Sequence, residues 1–353
     1  MKRCKNFVLL LVFVLLLGSL AACGNEGQSS NAAAPATQSP SDQPPAGGGE
    51  VPFPDKKVTI SMGSATSGGT FYIYCGGVAT VVGQNTKNIE IAIEATQGSG
   101  ANLELLRNGS VDICISEASM GYDIMTSQGD YAGAAPFEGL RAVAACYANK
   151  WMAVTLDKSI TDTTQLDGKN IAVSTYMSGS HLGSMKVYDA LGMKDVSYTT
   201  MAYADGFTEM FESRLDACSM LTGHPSSPII ELETKTDVNY VKLTEDQINT
   251  VLTAVPAYSR DMIEAGTYKG LTEDYDTVSN WVVLYVRDDM DDNLVYHIVK
   301  AIMENNETMV NTHAVAAASI PENAVKQVMP LHRGAIKYYE EAGIKIPDNL
   351  KID

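Results

Sequence analysis

Three loops of this chain combine glycine with hydroxyl side chains at points where a strand gives way to a helix. They span residues 63–72 (GSATSGGTFY), 95–100 (ATQGSG) and 174–180 (STYMSGS). Glycine lets a backbone approach a ligand closely, and the N–H groups at a helix N-terminus favour an anion such as a carboxylate or phosphate. Any one of these loops is also typical of an ordinary helix cap. Their recurrence at equivalent places predicts a shared site for a small anionic group.

Tyrosines are frequent around these loops, because the chain has 17 tyrosines and only 7 phenylalanines. Tyr72, Tyr74, Tyr176 and Tyr203 fall in or near them. A tyrosine at a cleft packs against the apolar stem of a ligand and offers a hydroxyl to its polar end. Half-buried packing explains the same residues equally well, and both interpretations stay open.

Sequence patterns for catalysis are missing. The zinc-protease HExxH, the GxSxG elbow, SxxK, Walker A and the GxGxxG pattern do not occur in the sequence. His224 follows a strand and would be able to face a cleft, but an isolated histidine is more often structural. A hydrolase would need a nucleophile paired with a base, and the sequence shows no such pair. We therefore expect no enzyme activity, no cofactor and no metal site.

The loops lie in a chain whose short apolar strands alternate with longer amphipathic segments. The first series predicts strands at 58–62, 89–95 and 111–116 and helices at 71–86 and 99–107. The second series predicts strands at 171–173, 196–200 and 217–220 and helices at 179–191 and 206–214. A strand at 281–286 and a helix at 292–305 follow.

Repeated strand–helix units predict an α/β fold of two lobes, each a mostly parallel sheet flanked by helices, with a cleft between them. Lobe 1 is expected to comprise residues 56–149 and 281–353, and lobe 2 residues 150–280. The chain would then cross between lobes near Asn149-Lys150 and Ser279-Asn280. Ligands of open α/β sheets bind at the strand ends where the three loops lie.

The N-terminal residues carry the pattern of a lipoprotein signal. A positive start precedes the apolar run Phe7–Leu17, and Leu20-Ala21-Ala22-Cys23 follows. The run is shorter than the roughly 20 residues of a membrane-spanning helix, and small residues before the cysteine indicate cleavage. We expect residues 1–22 to be a signal peptide and Cys23 to be lipidated at the outer face of the cytoplasmic membrane. An uncleaved anchor helix is the alternative.

Residues 23–55 contain almost no large apolar side chain, so we expect a disordered tether between the lipid and the folded body. The formal net charge of −17 argues against nucleic acid and against attraction to anionic lipid. Cys75, Cys114, Cys146 and Cys218 remain in the body, where a disulfide is possible outside the cell. Cys114 and Cys146 lie in apolar strand-like runs, which favours free cysteines packed as small hydrophobes.

Several segments together resemble the TAXI solute-binding proteins (TRAP-associated extracytoplasmic immunogenic proteins), the binding components of some tripartite ATP-independent periplasmic (TRAP) transporters. Residues 68–72 (GGTFY) look like the family's GGTYY segment, and residues 96–106 (TQGSGANLELL) look like its TxGSxxNL segment. Residues 166–180 are similar to its second-lobe DLxGK…GSG[ST] run. Residues 256–268 and 330–335 look like its two C-terminal signatures. The resemblance covers Lys56 to Gly343, behind a lipobox.

The resemblance implies a type II periplasmic-binding fold with a hinge between its lobes. It also implies a ligand that is a small organic acid or an amino acid such as glutamate, delivered to a TRAP-type membrane permease. Carried over by position, the implied ligand contacts are Ser64, Gly68, Thr70, Tyr72, Gln97, Ser99, Ser178, Gly179, Ser180, Thr222 and Gly223. Tyr176 joins this set from the tyrosine pattern.

Glu117 departs from the family pattern, because it stands where the family often has glutamine. A carboxylate there would repel a purely anionic ligand and would bind an ammonium group, which favours an amino acid or a cationic solute. The alternative is that Glu117 faces away or caps the residues that follow it. The resemblance predicts a monomeric protein that serves transport. The competing function is that of a ligand-sensing module that signals to a membrane protein.

Overall fold

The computed structural model describes residues 50–65, 67 and 69–351. Ten strands are described: β1 Val58–Gly63, β2 Ile89–Glu94, β3 Ile113–Glu117, β4 Leu140–Thr155, β5 Asn170–Ala172, β6 Ser197–Thr199, β7 Ala217–Thr222, β8 Asn239–Val241, β9 Tyr258–Ile263 and β10 Tyr275–Arg287. Ten α-helices are described: α1 Thr70–Asn85, α2 Ser99–Arg107, α3 Ala118–Thr126, α4 Gly179–Ala190, α5 Tyr203–Phe211, α6 Ser227–Lys235, α7 Glu245–Ala254, α8 Asp292–Glu304, α9 Asn306–Thr312 and α10 Arg333–Glu341. The predicted signal peptide, the lipidated Cys23 and the tether up to residue 49 lie outside the described residues.

The strands form one mixed sheet in the order β2-β1-β3-β10-β4-β7-β5-β6, with β8 beside β4 and β9 beside β10. The outer strands pair in parallel, as β1 does with β2 and β3 and as β5 does with β6 and β7. The central strands β10 and β4 pair antiparallel with each other and with their neighbours β3 and β7. The parallel pairing predicted for each lobe therefore holds at the two ends of the sheet, and an antiparallel centre joins them.

Most of the elements that were predicted begin and end within a few residues of their predicted bounds, as α2 at Ser99–Arg107 shows. The difference lies in the centre of the sheet. The sequence pattern marks only an apolar strand-like run around Cys146, but β4 runs without interruption from Leu140 to Thr155. β10 is also longer than predicted, because it begins at Tyr275 and not near Asn280. Both long strands have polar residues in their middle, such as Asn149 in β4 and Asn280 in β10, and these residues interrupt the apolar pattern.

Three clusters of buried side chains form the hydrophobic core. The largest contains residues of the segments 51–147 and 281–350, together with Leu182. The other two contain residues between 151 and 278. Trp151 belongs to one of them and Met152 to the other, because successive side chains of a strand point to opposite faces of the sheet. We call the part built on 51–147 and 281–350 the first core region and the part built on 151–278 the second core region.

The long strands β4 and β10 connect the two core regions at a pair of asparagines. Asn149 of β4 lies opposite Asn280 of β10 in the antiparallel register. Both side chains are buried, with exposures of 5% and 0%. Buried amides need hydrogen-bond partners, so this polar pair between apolar clusters must bind another polar group.

The cysteines of the described chain are free and buried, at Cys75, Cys114, Cys146 and Cys218. Burial raises the pKa of the Cys146 thiol to about 12 and that of the Cys218 thiol to about 12. The expectation that Cys114 and Cys146 pack as small hydrophobes is confirmed. Among the described residues, no helix is both long enough and apolar enough to cross a membrane.

Candidate functional site

A cavity of about 250 Å³ lies where loops of both core regions meet. Five helices begin at its wall: α1, α2, α4, α5 and α6. Its lining residues are Ala65, Gly69, Thr70, Phe71, Ile73, Gln97, Gly98, Ser99, Glu117, Asn149, Ser174, Thr175, Ser178, Gly179, Ser180, Tyr203, Leu221, Thr222, Pro225, Ser226, Ser227, Pro228 and His313. The three loops singled out in the sequence thus meet at one place, and the loop after β7 joins them.

The helix N-termini give this cavity a positive electrostatic character. Helices α1, α2, α4 and α6 carry no acidic residue in their first turn, whereas α5 carries Asp205 there. The N-cap residues of α1, α2 and α6 are Gly69, Gly98 and Ser226, and none of them makes a side-chain capping hydrogen bond. The first N–H groups of a helix lack partners inside the helix and attract an anion. The cavity is therefore suited to a carboxylate.

Glu117 supplies the opposite charge at the same cavity. Its side chain is 1% exposed, at the end of β3. Asn149 Nδ2 donates a hydrogen bond to Oε1 at 2.9 Å, and Asn280 Nδ2 donates to Oε2 at 3.0 Å. Asn280 also binds Ser119, with Nδ2 2.7 Å from the hydroxyl and Oδ1 accepting the backbone N–H at 3.2 Å. The two strands that join the core regions thus hold both carboxyl oxygens of Glu117.

Burial raises the pKa of Glu117 to about 7, because water no longer solvates the charged form. The hydrogen bond from Asn149, the charge of Lys186 and the hydrogen bond from Asn280 act in the opposite direction. A carboxyl group with this pKa changes its charge near neutral pH. A ligand that carries a positive group would favour the ionised form.

The helix α4 packs against the first core region through one face. The carboxyl group of Glu117 lies so close to Gly179 that a Cβ atom there would be 2.6 Å from Oε1 and 2.7 Å from Oε2. One turn further, Leu182 joins the first core cluster. Lys186 Nζ then lies 2.5 Å from Asp123 Oδ2 of α3. Residue 179 therefore has room for glycine alone while Glu117 keeps its position.

A second set of hydrogen bonds fixes the α4 end of the cavity. The Ser178 hydroxyl accepts the backbone N–H of His181 at 3.1 Å and caps α4. The Ser180 hydroxyl accepts the backbone N–H of Leu221 at 2.9 Å and the hydroxyl proton of Tyr203. Ser180 is therefore a positioning residue that joins α4 to β7 and α5. Its hydroxyl is already engaged within the protein.

Eight of the residues predicted from the sequence line the cavity together: Thr70, Gln97, Ser99, Glu117, Ser178, Gly179, Ser180 and Thr222. Gly223 does not line it, but it lies against the wall, since a Cβ there would be 2.6 Å from Val315 Cγ1 and 3.7 Å from Thr70 Cγ2. Gly68 lies outside the described residues.

Three predicted contacts lie elsewhere. Ser64 is fully buried and does not line the cavity, and its hydroxyl donates to the Glu94 carbonyl at 2.7 Å. Tyr72 is half-buried and does not line the cavity, whose α1 contacts are Thr70, Phe71 and Ile73. Tyr176 is 67% exposed and packs near His181, with 5.5 Å between ring centroids. Their types fit a ligand site, but their positions on the helix or loop turn them away from it.

The structure adds cavity residues that the sequence patterns missed. Asn149 is detectable as a polar residue inside a strand, and Ser226 and Ser227 before Pro228 form a helix-start signal. Tyr203, which the tyrosine pattern already marks, also lines the cavity. His313 has no local signal, because it follows α9 and reaches the cavity through tertiary packing.

His224, by contrast, serves the structure. Its Nδ1 lies 2.5 Å from the Tyr268 hydroxyl, and its Nε2 lies 3.2 Å from the Lys150 carbonyl. Burial lowers the pKa of His224 to about 4, so the ring is neutral at pH 7. With both ring nitrogens engaged, His224 packs as a structural histidine beside the loop that follows β7.

Comparison with known proteins gives a family and a fold. Residues 62–343 match the NMT1-like family. Among solved structures, the chain is similar to MatC (Rpa3494) from Rhodopseudomonas palustris with bound malate, at 12% identity and a TM-score of 0.52 over 82% of this chain and 98% of MatC. It is also similar to a structure concerning glutathione import via GshT and the cystine ABC importer TcyBC of Streptococcus mutans, at 12% identity and a TM-score of 0.47 over 75% of this chain and 97% of the other.

A further similar structure is Tv2483 bound to L-arginine, at 14% identity and a TM-score of 0.45 over 74% of this chain and 91% of the other. The similarity to MatC confirms the predicted fold class, a mixed α/β fold of the periplasmic-binding type. Its extent, 98% of MatC, indicates that the whole arrangement of sheet and helices is shared and not a single motif.

Proposed function

Because the chain belongs to the NMT1-like family, and because the N-termini of α1, α2, α4 and α6 meet a buried carboxyl group at one cavity, we propose that it is an extracytoplasmic solute-binding protein. Its ligand is a small amino acid, and a glutamate-like one fits the resemblance to the TAXI proteins. The ligand carboxylate is held at the unfilled helix N-termini, and the ammonium group is held by Glu117. The role is capture and not catalysis.

The observation that carries the proposal is the pairing of opposite charges at the cavity. Among the described lining residues, Glu117 is the only lysine, arginine, aspartate or glutamate. A dicarboxylate would meet no cationic side chain there and would meet the carboxyl group of Glu117. A zwitterion would satisfy both the helix N-termini and Glu117. The small organic acid in the MatC structure, malate, supports a ligand of this size class.

The division of the core supports a closing mechanism. The first and second core regions are connected by β4 and β10, and the cavity lies between loops of both. In this proposal they are two lobes, residues 56–149 with 281–353 and residues 150–280, that close over the ligand about the Asn149 and Asn280 positions. Hinges of this kind absorb the backbone change in a few residues.

The lipobox and the resemblance support the remaining parts of the proposal. Cys23 would carry the lipid that holds the monomeric protein at the outer face of the cytoplasmic membrane, with residues 23–55 as the tether. Loaded protein would pass its solute to a TRAP-type permease. The competing sensory role would use the same ligand site with a different membrane partner.

A ligand screen of the purified protein tests the proposal. L-Glutamate, L-glutamine, malate and 2-oxoglutarate are compared by thermal shift, and any hit is measured by calorimetry. We expect an amino acid to raise the melting temperature by mass action and the two dicarboxylates to have a smaller effect. Solution scattering should show a smaller radius of gyration with the bound amino acid. A larger shift with malate than with either amino acid would contradict the assigned ligand class.

A further inference from the structure

His313 lines the cavity, yet the capture of a carboxylate and an ammonium group leaves it without a role. Its Nδ1 accepts a hydrogen bond from the backbone N–H of Val315 at 3.2 Å. A neutral imidazole has one acceptor nitrogen and one N–H group. Because Nδ1 is the acceptor, the proton lies on Nε2. Burial lowers the pKa of His313, which favours this neutral form at pH 7.

The ring is held in place by contacts that involve both core regions. The hydrogen bond that His313 accepts from the Val315 backbone N–H caps the short helical segment Ala314–Ala318. The Val315 side chain in turn lies against Gly223 of the second core region, where a Cβ atom would be 2.6 Å from Val315 Cγ1. No hydrogen bond from Nε2 to another described residue is present, so its N–H is available to a ligand.

We propose that His313 is a specificity-determining residue whose Nε2–H donates to a hydrogen-bond acceptor on the side chain of the bound amino acid. This inference rests on the proposed function, in which Glu117 and the helix N-termini take the two groups common to all amino acids. A neutral donor does not require a charged acceptor. Side chains that end in a carboxylate or in an amide are therefore both accepted, and apolar side chains of the same length are bound less tightly.

Two substitutions separate recognition from folding. In His313→Asn, the side-chain oxygen occupies a position like that of Nδ1 and keeps the cap on Val315, but no donor reaches the place of Nε2. In His313→Gln, the terminal amide reaches the place of Nε2 and restores a donor. His297→Gln is the matched control, because His297 is a buried histidine of α8 that stacks on Phe53 and does not line the cavity.

Calorimetry with L-glutamate, L-glutamine and L-norleucine supplies the readout. We expect the native protein and His297→Gln to bind the first two more tightly than L-norleucine. In His313→Asn, that preference should fall by about fivefold to tenfold, the effect of one neutral hydrogen bond, with the affinity for L-norleucine almost unchanged. His313→Gln should regain most of the preference. Thermal unfolding of each variant confirms that it is folded.

The outcomes separate the two hypotheses. If the native protein binds none of the three amino acids, the proposed ligand class is wrong and the role of His313 is rejected with it. If the native protein shows the preference and His313→Asn keeps it, the proposed function stands and the assignment of His313 is wrong. Equal native affinities for L-glutamine and L-norleucine also overturn the assignment, because no side-chain acceptor is then recognised.

Discussion

The carboxyl group of Glu117 rests directly on the backbone of Gly179, and a Cβ atom at residue 179 would be 2.6 Å from Oε1. Glu117 ends a strand of the first core region, and Gly179 begins a helix built from the second. The absence of a side chain at 179 therefore sets how closely α4 approaches the buried carboxyl group. The fit between the two regions depends on this contact.

Gly179→Ala tests that contact. The added methyl group must displace Glu117 from Asn149 and Asn280 or move α4 away, and overpacking of this kind costs about 1–3 kcal/mol. We expect a lower free energy of unfolding in chemical denaturation and at least about a tenfold loss of affinity for the bound amino acid. Gly83→Ala is the control, because its Cβ would meet nothing within 4 Å. Equal behaviour of the two variants would mean that the contact has no effect.

The raised pKa of Glu117 predicts a pH dependence of stability. Its carboxyl group keeps a proton up to about pH 7 in the folded protein, whereas the ordinary value is 4.5. The folded state therefore binds more protons between these values, and the stability that Glu117 contributes is lost as the pH rises through about 7.

Glu117→Gln removes this ionisation. The melting temperature of the variant minus that of the native protein should increase from about pH 5 to about pH 8, measured in ligand-free protein. Other titrating groups are common to both proteins and cancel in the difference. A difference that stays constant over this range would show that Glu117 does not titrate near neutral pH.

The same substitution, Glu117→Gln, changes ligand selectivity. It keeps the shape of the side chain and removes the charge, so an ammonium group loses a charge-assisted hydrogen bond. We expect the affinity for an amino acid to fall by about 1–3 kcal/mol and that for a simple dicarboxylate to rise. Calorimetry of both ligands with both proteins gives the two changes independently. An unchanged amino-acid affinity would place Glu117 outside the ligand contacts.

The fold follows from local sequence signals because most elements are short and have clear ends. Helix α2 begins after a glycine and ends at Asn108-Gly109, and its bounds match the prediction. The long strand β4 is harder to predict, because Asn149 and Lys150 interrupt its apolar pattern. Asn149 donates a hydrogen bond to Glu117, and Lys150 donates one to the Met262 carbonyl. Both partners are distant in sequence. Local periodicity does not report such partners.

The site is predictable where loop chemistry marks it and not where tertiary packing does. Thr70, Gln97 and Ser99 lie at strand-to-helix loops, and their residue types identify them. His313 reaches the cavity only because the segment after α9 packs on the sheet and on Gly223. Tyr176 shows the opposite error, since a residue of suitable type beside the right loop is exposed to solvent.

The predicted lipidation of Cys23 is tested by fractionation. In a host that processes lipoproteins, we expect the native protein in the membrane fraction, with a mass that corresponds to a lipidated Cys23 after removal of residues 1–22. Cys23→Ala should lose the lipid and either leave the membrane fraction or retain the uncleaved N-terminus. Cys75→Ala is the control, because Cys75 is buried in the folded body. A mature, membrane-held Cys23→Ala protein would contradict the lipobox prediction.

The ion pair between Lys186 and Asp123 joins α4 to α3 next to the Glu117–Gly179 contact. Its side chains are only 19% and 12% exposed, and Asp130 lies 4.0 Å from Lys186 on the same side. Lys186→Met leaves two aspartates close together without their cation. We therefore expect a loss of about 1–3 kcal/mol in the free energy of unfolding.

A second substitution shows whether this loss comes from the pair itself. Because Asp123→Asn removes the unpaired charge, the double variant Lys186→Met/Asp123→Asn should be more stable than the sum of the two single effects predicts. Lys235→Met is the control, since Lys235 and Glu231 form an exposed pair within α6 that should contribute about 0.5 kcal/mol or less. Chemical denaturation of all four variants measures these differences. Equal losses in Lys186→Met and Lys235→Met would show that the α3–α4 pair behaves as an ordinary surface contact and does not hold the two core regions together.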